Sequence, residues 1–228
     1  MIIVFEGIDG SGKSTLLENT YEHLKKDHSV YKFKFPTKNN QISTLIYDTL
    51  NGNLNLTYES LAILFEIDRY LGKDILLDLN SRYEYVLLDR YYLSNLALQG
   101  ARCMLENGDI HEFISKFVYI VKTLNLVQPD MTFICDTSLN VTTKNLSNKQ
   151  RDILESDINI QKNAQYIYNE ILPQYFTNLI YLKMSDDSEF YDPDILCTSV
   201  INLIQENTKL LNKGDLIWEV LCLKYLPI

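Results

Sequence analysis

A phosphate-binding loop is encoded near the start of the chain, where residues 7–14 read Gly-Ile-Asp-Gly-Ser-Gly-Lys-Ser. An apolar run at residues 2–5 precedes it, and residues 15–26 follow with apolar side chains at helical spacing. Glycines let backbone N–H groups turn toward phosphate oxygens, and the positive end of the following helix lies at the same point. Lys13 can then reach the β- and γ-phosphates, and the Ser14 hydroxyl can ligate Mg²⁺. The residues predicted to form this nucleoside triphosphate site are Gly7, Gly10, Ser11, Gly12, Lys13, Ser14 and Thr15.

An acid and an arginine, Asp89 and Arg90, follow a second apolar run at residues 85–88. Ligands of parallel sheets bind at the carboxyl ends of the strands, so this pair lies beside the loop if the two strands are neighbours. Phosphoryl transfer needs Mg²⁺ and cations on the moving group. Asp89 suits the first need and Arg90 the second, whereas the alternative is a salt bridge at the strand end.

Apolar runs alternate with amphipathic segments along the chain, which predicts an α/β fold with a mainly parallel sheet and helices on both faces. Strands are predicted at residues 2–6, 30–35, 85–89, 132–136 and 179–183. Helices are predicted at about residues 14–26, 41–50, 57–79, 93–106, 110–124, 158–172 and 193–211. Because no repeat or Pro/Gly linker interrupts the pattern, residues 1–228 are predicted to form one domain with a C-terminal extension at about 212–228.

The composition of the chain limits which binding partners and which cellular location are expected. The net charge of −9 argues against coating nucleic acid, because phosphate backbones require clustered cations. No apolar run approaches the ~20 residues that span a bilayer, and the first residues lead into a strand, so neither a membrane segment nor a signal peptide is expected. The four cysteines are far apart, which favours reduced thiols in the cytoplasm over disulfides or zinc.

The most polar stretch of the chain spans about residues 137–157. In an arbitrary protein such a stretch is an ordinary solvated loop in about half of all cases. In a protein with a phosphate-binding loop, a basic segment after the fourth strand is where a closing lid would lie. The sequence therefore predicts a lid over about residues 137–157.

Several motifs, taken in order, resemble those of the thymidylate (dTMP) kinases. Residues 5–15 resemble the opening of that family, and Asp89-Arg90-Tyr91-Tyr92-Leu93-Ser94-Asn95 with Gln99-Gly100 resembles its second hallmark. Further matches are Phe35-Pro36-Thr37-Lys38, Leu64-Phe65 with Arg69, Pro129-Asp130 and Asp152-Ile153-Leu154-Glu155. The resemblance covers residues 1 to about 185. It implies a P-loop NTPase fold with a five-stranded, mostly parallel sheet, flanking helices and a lid segment.

The resemblance implies a base-reading set on two segments. Phe65 would stack on the pyrimidine ring, and Arg69 would hydrogen-bond its exocyclic carbonyl. Ser94 and Asn95 would complete the polar edge around the base. Apart from the resemblance, a phenylalanine on a helix rich in leucine and isoleucine is more often a core residue.

The resemblance also implies roles around the phosphates. Asp9 would accept a hydrogen bond from the sugar 3′-hydroxyl, and Arg90 would hold the acceptor monophosphate. Asp89 would position that phosphate and Mg²⁺, while Lys13 and Ser14 would serve ATP.

Three positions depart from the family pattern. Gly10 stands where many members carry arginine, and members with glycine there tend to supply the catalytic cation from the lid; Arg151 is the best candidate and Lys149 the second. Lys38 replaces an arginine on the acceptor phosphate and so lacks the bidentate fork. Leu98 replaces an aromatic residue that packs against C2′ of the sugar, which leaves selection between deoxyribose and ribose open.

The resemblance therefore implies a kinase that moves the γ-phosphoryl of ATP onto dTMP, with Mg²⁺, in dTTP synthesis. It also implies a homodimer, for which residues 57–79 could offer a face with Leu61, Leu64, Tyr70 and Ile75. The expected location is the cytoplasm, or the host cytoplasm if a virus encodes the chain. Alternatives are a broader deoxynucleoside monophosphate kinase or a deoxynucleoside kinase, a nucleotide-hydrolysing switch, and an inactive binding protein.

Overall fold

A five-stranded sheet forms the centre of the protein. The computed structural model describes residues 1–38, 40–146, 154 and 157–213. The strands are β1 (Ile2–Glu6), β2 (Val30–Lys34), β3 (Tyr85–Asp89), β4 (Met131–Asp136) and β5 (Leu179–Lys183). Their order is β2-β3-β1-β4-β5, and every neighbouring pair is parallel. The predicted α/β fold is confirmed, and each predicted strand boundary lies within one residue of the observed one.

Helices flank the sheet. They are α1 (Lys13–Leu24), α2 (Gln41–Leu50), α3 (Tyr58–Leu71), α4 (Lys73–Arg82), α5 (Tyr92–Leu105), α6 (Ile110–Thr123), α7 (Leu139–Leu146), α8 (Ile158–Tyr166) and α9 (Pro193–Lys213). The predicted extension at 212–228 lies outside the described residues from residue 214 onward.

The single helix predicted over residues 57–79 is wrong, because the chain breaks at Gly72 into α3 and α4. Gly72 has a ψ of −1°, well away from the value of about −42° that is typical of an α-helix. A Cβ atom on Gly72 would lie 2.7 Å from Cε1 of Phe35, so the phenylalanine ring occupies the space a side chain would need. Glycine both permits this contact and is a weak helix former, which explains the break.

Two other segments differ from the prediction. The polar stretch at 137–157 contains α7, whose Val141 is buried in the interior. The helix predicted over 158–172 ends as α-helix at Tyr166 and continues as a π-helical turn (Ile167–Ile171) and a 3-10 turn (Leu172–Gln174). Pro173 has no N–H with which to continue the α-helical pattern, so regular structure ends there.

Two apolar layers cover the two faces of the sheet. Ile2 and Val4 point toward the layer that contains α5, α6 and α8, whereas Ile3 and Phe5 point toward the layer with α1 and α9. All five side chains of β1 are buried, which agrees with its central position in the sheet. The continuous apolar run of the first strand therefore reflects burial on both faces.

The register of the sheet positions the candidate site. Phe5 lies opposite Asp89 on β3, and Glu6 lies opposite Ile134 on β4. The backbone N–H of Arg90 donates to the carbonyl oxygen of Phe5 at 3.0 Å. The loop after β1 and the turn after β3 therefore emerge side by side, as predicted for neighbouring strands.

No helix within the described part of the chain is long and apolar enough to cross a membrane. Cys103, Cys135 and Cys197 are buried free thiols, and Cys222 lies outside the described residues.

Candidate active site

The loop after β1 has the backbone geometry of a phosphate cradle. Gly7, Gly10 and Gly12 all have positive φ values, of 142°, 76° and 82°. A Cβ atom on Gly7 would lie 2.8 Å from the carbonyl oxygen of Cys135, so the loop packs directly on β4. Gly12 precedes α1 and has no side chain to cap it, which leaves the first N–H groups of the helix available to an anion.

Lys13 is a buried cation that lacks a partner among the residues that the structure describes. Its side chain is 6% exposed and makes no hydrogen bond or ion pair with any described residue. Burial and the nearby Arg90 guanidinium lower the pKa of Lys13, and Asp9 and Asp89 only partly oppose this. A buried ammonium in this state lacks the compensation that buried charges normally have, which a phosphate oxygen would supply.

Asp9 and Arg90 form a buried ion pair in front of the loop. The Arg90 Nη2 donates to Asp9 Oδ1, while Nη1 donates to the Gly7 carbonyl at 2.8 Å and to Ser94 Oγ at 3.0 Å. Gln161 of α8 donates to the other Asp9 oxygen at 3.1 Å. Burial would raise the pKa of Asp9, but Arg90, Lys13 and these hydrogen bonds outweigh it and lower that pKa; Asp9 in turn raises the pKa of Arg90.

A buried carboxylate that the sequence analysis did not identify, Glu6, holds the turn after β3 in place. One oxygen accepts from the backbone N–H groups of Tyr91 at 2.8 Å and Ser94 at 3.3 Å. The other accepts from the Ser94 hydroxyl and, at 3.1 Å, from the hydroxyl of Tyr168 in the π-helical turn that follows α8. Glu6 thus fixes Tyr91 and Ser94, which follow Arg90 in the chain. The sequence signal that could have identified Glu6 is an acidic residue at the end of an otherwise apolar strand.

Asp89 and Ser14 have free oxygens for a cation. Asp89 Oδ1 is buried and accepts no hydrogen bond from the described part of the chain, and Oδ2 lies 3.7 Å from Lys34 Nζ. Ser14 and Thr15 are exposed in the first turn of α1. A carboxylate and a hydroxyl oxygen are donors that Mg²⁺ accepts, so this set fits the ion.

A second group of polar side chains lies between α3 and α5. Arg69 is buried; its Nη2 donates to the Tyr91 carbonyl at 2.7 Å, whereas Nε and Nη1 make no hydrogen bond to any described residue. Asn95 Nδ2 donates to the Ala62 carbonyl at 2.9 Å, and Asn95 Oδ1 is buried without a partner. The half-buried Phe65 ring lies 5.5 Å from the Arg69 guanidinium carbon and belongs to neither apolar layer.

The loop after β2 is attached to α3 by a buried carboxylate, Asp68. It accepts from the Thr37 backbone N–H at 2.8 Å and from Asn40 Nδ2 at 3.1 Å. Lys38 lies in this loop and is exposed. The arrangement fixes the base of the loop while its cation faces solvent.

A mostly apolar cavity of about 170 Å³ opens beside the phosphate cradle. Gly12 and Thr15 line it on one side, and Phe190 and Tyr191 on the other. Asn145 of α7 also lines it and donates to the Gly10 carbonyl at 3.0 Å. The cavity therefore continues directly from the loop predicted to hold the triphosphate.

Comparison with known proteins agrees with this geometry. The family model described as thymidylate kinase matches residues 5–191. The chain belongs to the thymidylate kinase family. The family consists of ATP-dependent nucleoside monophosphate kinases, so the chain is a phosphotransferase of nucleotide biosynthesis.

Individual thymidylate kinases resemble the chain over most of their length. The enzyme of Finegoldia magna is 33% identical over 180 residues, which cover 75% of this chain and 84% of the relative. That of Leptospira borgpetersenii is 31% identical over 179 residues, covering 76% and 82%. A solved thymidylate kinase structure from Candida albicans has a TM-score of 0.73 at 20% identity, and covers 91% of this chain and 92% of that one. The expected family and P-loop NTPase fold are thereby confirmed.

The structure brings most of the predicted thymidylate kinase residues into two adjoining groups. The first group is Asp9, Lys13, Asp89, Arg90 and Ser94, and the second is Phe65, Arg69 and Asn95. Ser94 belongs to the phosphate side, because its hydroxyl binds Glu6 and Arg90; its predicted role at the base stays a prediction. Arg151 and Lys149 lie outside the described residues, as do Asp152, Ile153 and Glu155 of the lid motif.

Proposed function

We propose that this thymidylate kinase family member transfers the γ-phosphoryl of ATP to dTMP, giving dTDP and ADP. The observation that carries the choice of dTMP is the set of unpaired buried atoms beside Phe65. Arg69 offers free N–H donors and Asn95 a free oxygen acceptor. Thymine presents the complementary O4 acceptor and N3–H donor along one edge.

ATP would bind across the cradle and the adjoining cavity. The backbone N–H groups of residues 10–15 and Lys13 would hold the phosphates, with Ser11 and Thr15 in the same loop. The cavity between Thr15 and the Phe190–Tyr191 side has the size and apolar lining to receive adenine. Ser14 and Asp89 would hold Mg²⁺, which would supply positive charge to neutralise the phosphates during transfer.

The acceptor nucleotide would lie between the two groups of side chains. Phe65 would stack on the base, and Asp9 would accept from the sugar 3′-hydroxyl. Arg90 and Lys38 would hold the monophosphate. Because Arg90 is paired with Asp9 in the free protein, the phosphate must replace part of that pairing.

Transfer needs position and positive charge more than proton chemistry. The acceptor phosphate is already an anion, so an in-line displacement requires neither a strong base nor a covalent intermediate. The positive charge of Lys13 would stabilise the ATP phosphates, and that of Arg90 would stabilise the acceptor phosphate. Arg151 of the proposed lid, residues 137–157, would add the cation that Gly10 does not provide, and would exclude water on closure.

A kinase with a broader choice of acceptor, either a deoxynucleoside monophosphate kinase or a deoxynucleoside kinase, is the second candidate. Leu98 favours it, because its half-buried side chain packs on the α5–α8 layer where the family often has an aromatic residue. Lys38 favours it as well, since an ammonium contacts phosphate without a fixed fork.

We also propose a single domain that forms a homodimer in the cytoplasm and binds no nucleic acid. Tyr70 and Ile75 are each 50% exposed on α3 and α4, and Leu71 is 53% exposed, which supports an apolar contact face. Leu61 cannot belong to this face, because it is fully buried in the core.

The experiment that tests the proposal measures ADP release with ATP and Mg²⁺ against dTMP, dUMP, UMP, dCMP, dGMP and thymidine. The proposal expects dTMP to give the highest kcat/KM. A shifted or broad profile supports the second candidate, and no acceptor-dependent release refutes both. Asp74 is exposed on α4, and the Asp74→Asn variant serves as a control for differences in handling and purity between protein preparations.

A further inference from the structure

Unpaired polar atoms concentrate between α3 and α5. Among the described residues, buried side-chain atoms without a hydrogen-bond partner include Glu66 Oε2, Arg69 Nε and Nη1, and Asn95 Oδ1. Buried polar atoms are paired in the great majority of native structures. A group of them in one place indicates that a ligand completes the bonding.

The orientation of the Asn95 amide is fixed by two acceptors. Its Nδ2 donates to the Ala62 carbonyl at 2.9 Å and to Glu66 Oε1 at 2.7 Å. The Ala62 carbonyl has no hydrogen to donate, so the amide nitrogen must face it. The oxygen of Asn95 is therefore the atom that remains for a ligand, and it accepts only from a donor.

Glu66 is the side-chain member of this pair of acceptors, and the sequence pattern did not single it out. It is 1% exposed, and its Oε1 lies 3.6 Å from Arg69 Nη1. Burial raises the pKa of the Glu66 carboxyl, and Glu6 adds to this, while Arg69 and the Asn95 hydrogen bond oppose it. The Oε1 atom accepts from Asn95 in either protonation state, provided that any proton resides on the unpaired Oε2.

We infer that Glu66 is a positioning residue that fixes the Asn95 amide and so makes the acceptor site select bases with an N3–H group. This inference rests on the proposed function. Thymine and uracil present N3–H beside O4, which match the free Asn95 oxygen and the free Arg69 N–H groups. Cytosine presents an unprotonated N3 beside an amino group, so it opposes an acceptor to an acceptor and a donor to a donor.

The test compares kcat/KM for dTMP, dUMP and dCMP in the full chain and in Glu66→Gln. A glutamine amide has both a donor and an acceptor, so Asn95 can pair with it in either orientation. We expect the dTMP/dCMP ratio to fall by about 3- to 10-fold, the effect of about one hydrogen bond. The dTMP/dUMP ratio should stay unchanged, since both bases carry N3–H, and so should the KM for ATP.

A second buried carboxylate on α3 provides the matched control. Asp68 accepts from Thr37 and Asn40 rather than from Asn95. Asp68→Asn should therefore leave the dTMP/dCMP ratio unchanged even if stability or overall rate falls. If Glu66→Gln does not fold, Glu66→Met fills similar volume without an acceptor and should lower the ratio in the same direction.

A double-variant measurement shows whether Glu66 acts through Asn95. In an Asn95→Ala background, Glu66→Gln should no longer change the dTMP/dCMP ratio. An equal loss with all three nucleotides, or a change of ratio that persists in that background, overturns the inference. A wild-type protein that does not phosphorylate dTMP instead refutes the proposed function, whereas a dTMP-selective wild type with an unaltered Glu66→Gln ratio refutes only the role of Glu66.

Discussion

Replacing Lys13 by methionine should stabilise the nucleotide-free protein and remove its activity. Methionine fills most of the space of the lysine stem without a charge. An unpaired buried polar group costs about 1–3 kcal/mol, and more when charged. Attraction between the Lys13 ammonium and the carboxylates of Asp9 and Asp89 offsets part of this cost. We therefore expect the substitution to raise the free energy of unfolding by about 1 kcal/mol. In a domain of this size that corresponds to a rise in Tm of about 2–4 °C.

The lowered pKa of Lys13 also predicts how the stability difference between Lys13→Met and the wild type changes with pH. The folded-state pKa of Lys13 lies below its ordinary value of 10.5, so the charged form is disfavoured in the folded protein. The penalty is complete at any pH below the folded-state pKa, where Lys13 is protonated in both the folded and unfolded states. It decreases as the pH rises through the folded pKa and disappears above 10.5. The stability difference between the variant and the wild type should therefore shrink as the pH rises.

The assay is thermal or urea unfolding without nucleotide, at neutral pH and again near pH 9.5, together with turnover on ATP and dTMP. Turnover should fall by about 10²- to 10³-fold or more, as for loss of one group that stabilises the transition state. Lys26→Met, at an exposed lysine just beyond α1, should change stability by less than about 0.5 kcal/mol. A Lys13→Met protein that is less stable than the wild type at pH 7, or as active, would refute the reasoning.

The remaining predictions concern the lid, the base and the turn after β3. Arg151→Ala should lower kcat strongly with little change in the KM for dTMP; if Lys149→Ala alone does so, Lys149 is the lid cation. Phe65→Ala should raise the KM for dTMP by about 5- to 10-fold, from loss of stacking worth about 1 kcal/mol, and should leave the urea midpoint nearly unchanged because Phe65 lies outside the core. Glu6→Gln should lower the free energy of unfolding by about 2–3 kcal/mol, because charge-assisted hydrogen bonds to Tyr91 and Ser94 weaken; an unchanged midpoint in urea would show that Glu6 is not the anchor of the turn.

The sheet and the cradle could be predicted because their signals are local. Strands β1 and β3 are continuous apolar runs, and the glycines after β1 mark a loop that must curl. The rule that parallel sheets bind ligands at the carboxyl ends of their strands placed Asp89 beside the loop on the condition that β1 and β3 are neighbours, and the pairing of Phe5 with Asp89 meets that condition. The same rule correctly placed Arg90 beside the loop.

The parts that were missed depend on contacts between distant segments. Gly72 breaks a helix because Phe35, thirty-seven positions earlier, occupies the space beside it. Glu66 and Asn95 meet only when α3 packs on α5, and Gln161 reaches Asp9 only when α8 lies over the loop. Periodicity within one segment carries no information on such pairs, which explains why the resemblance implied Phe65, Arg69 and Asn95 as base-reading residues while Glu66 was not identified.

With the roles proposed for Arg90 at the monophosphate and Asp9 at the sugar, the Asp9–Arg90 ion pair would join recognition of the phosphate to recognition of the sugar. In the free protein each group is the counter-ion of the other. A monophosphate that binds Arg90 deprives the Asp9 carboxylate of its Arg90 hydrogen-bond donor, and a 3′-hydroxyl supplies a replacement donor. The two recognitions should therefore be thermodynamically coupled, so that their binding free energies are not additive. A nucleotide without its 3′-hydroxyl should lose more affinity when it carries the phosphate than the corresponding nucleoside loses without it.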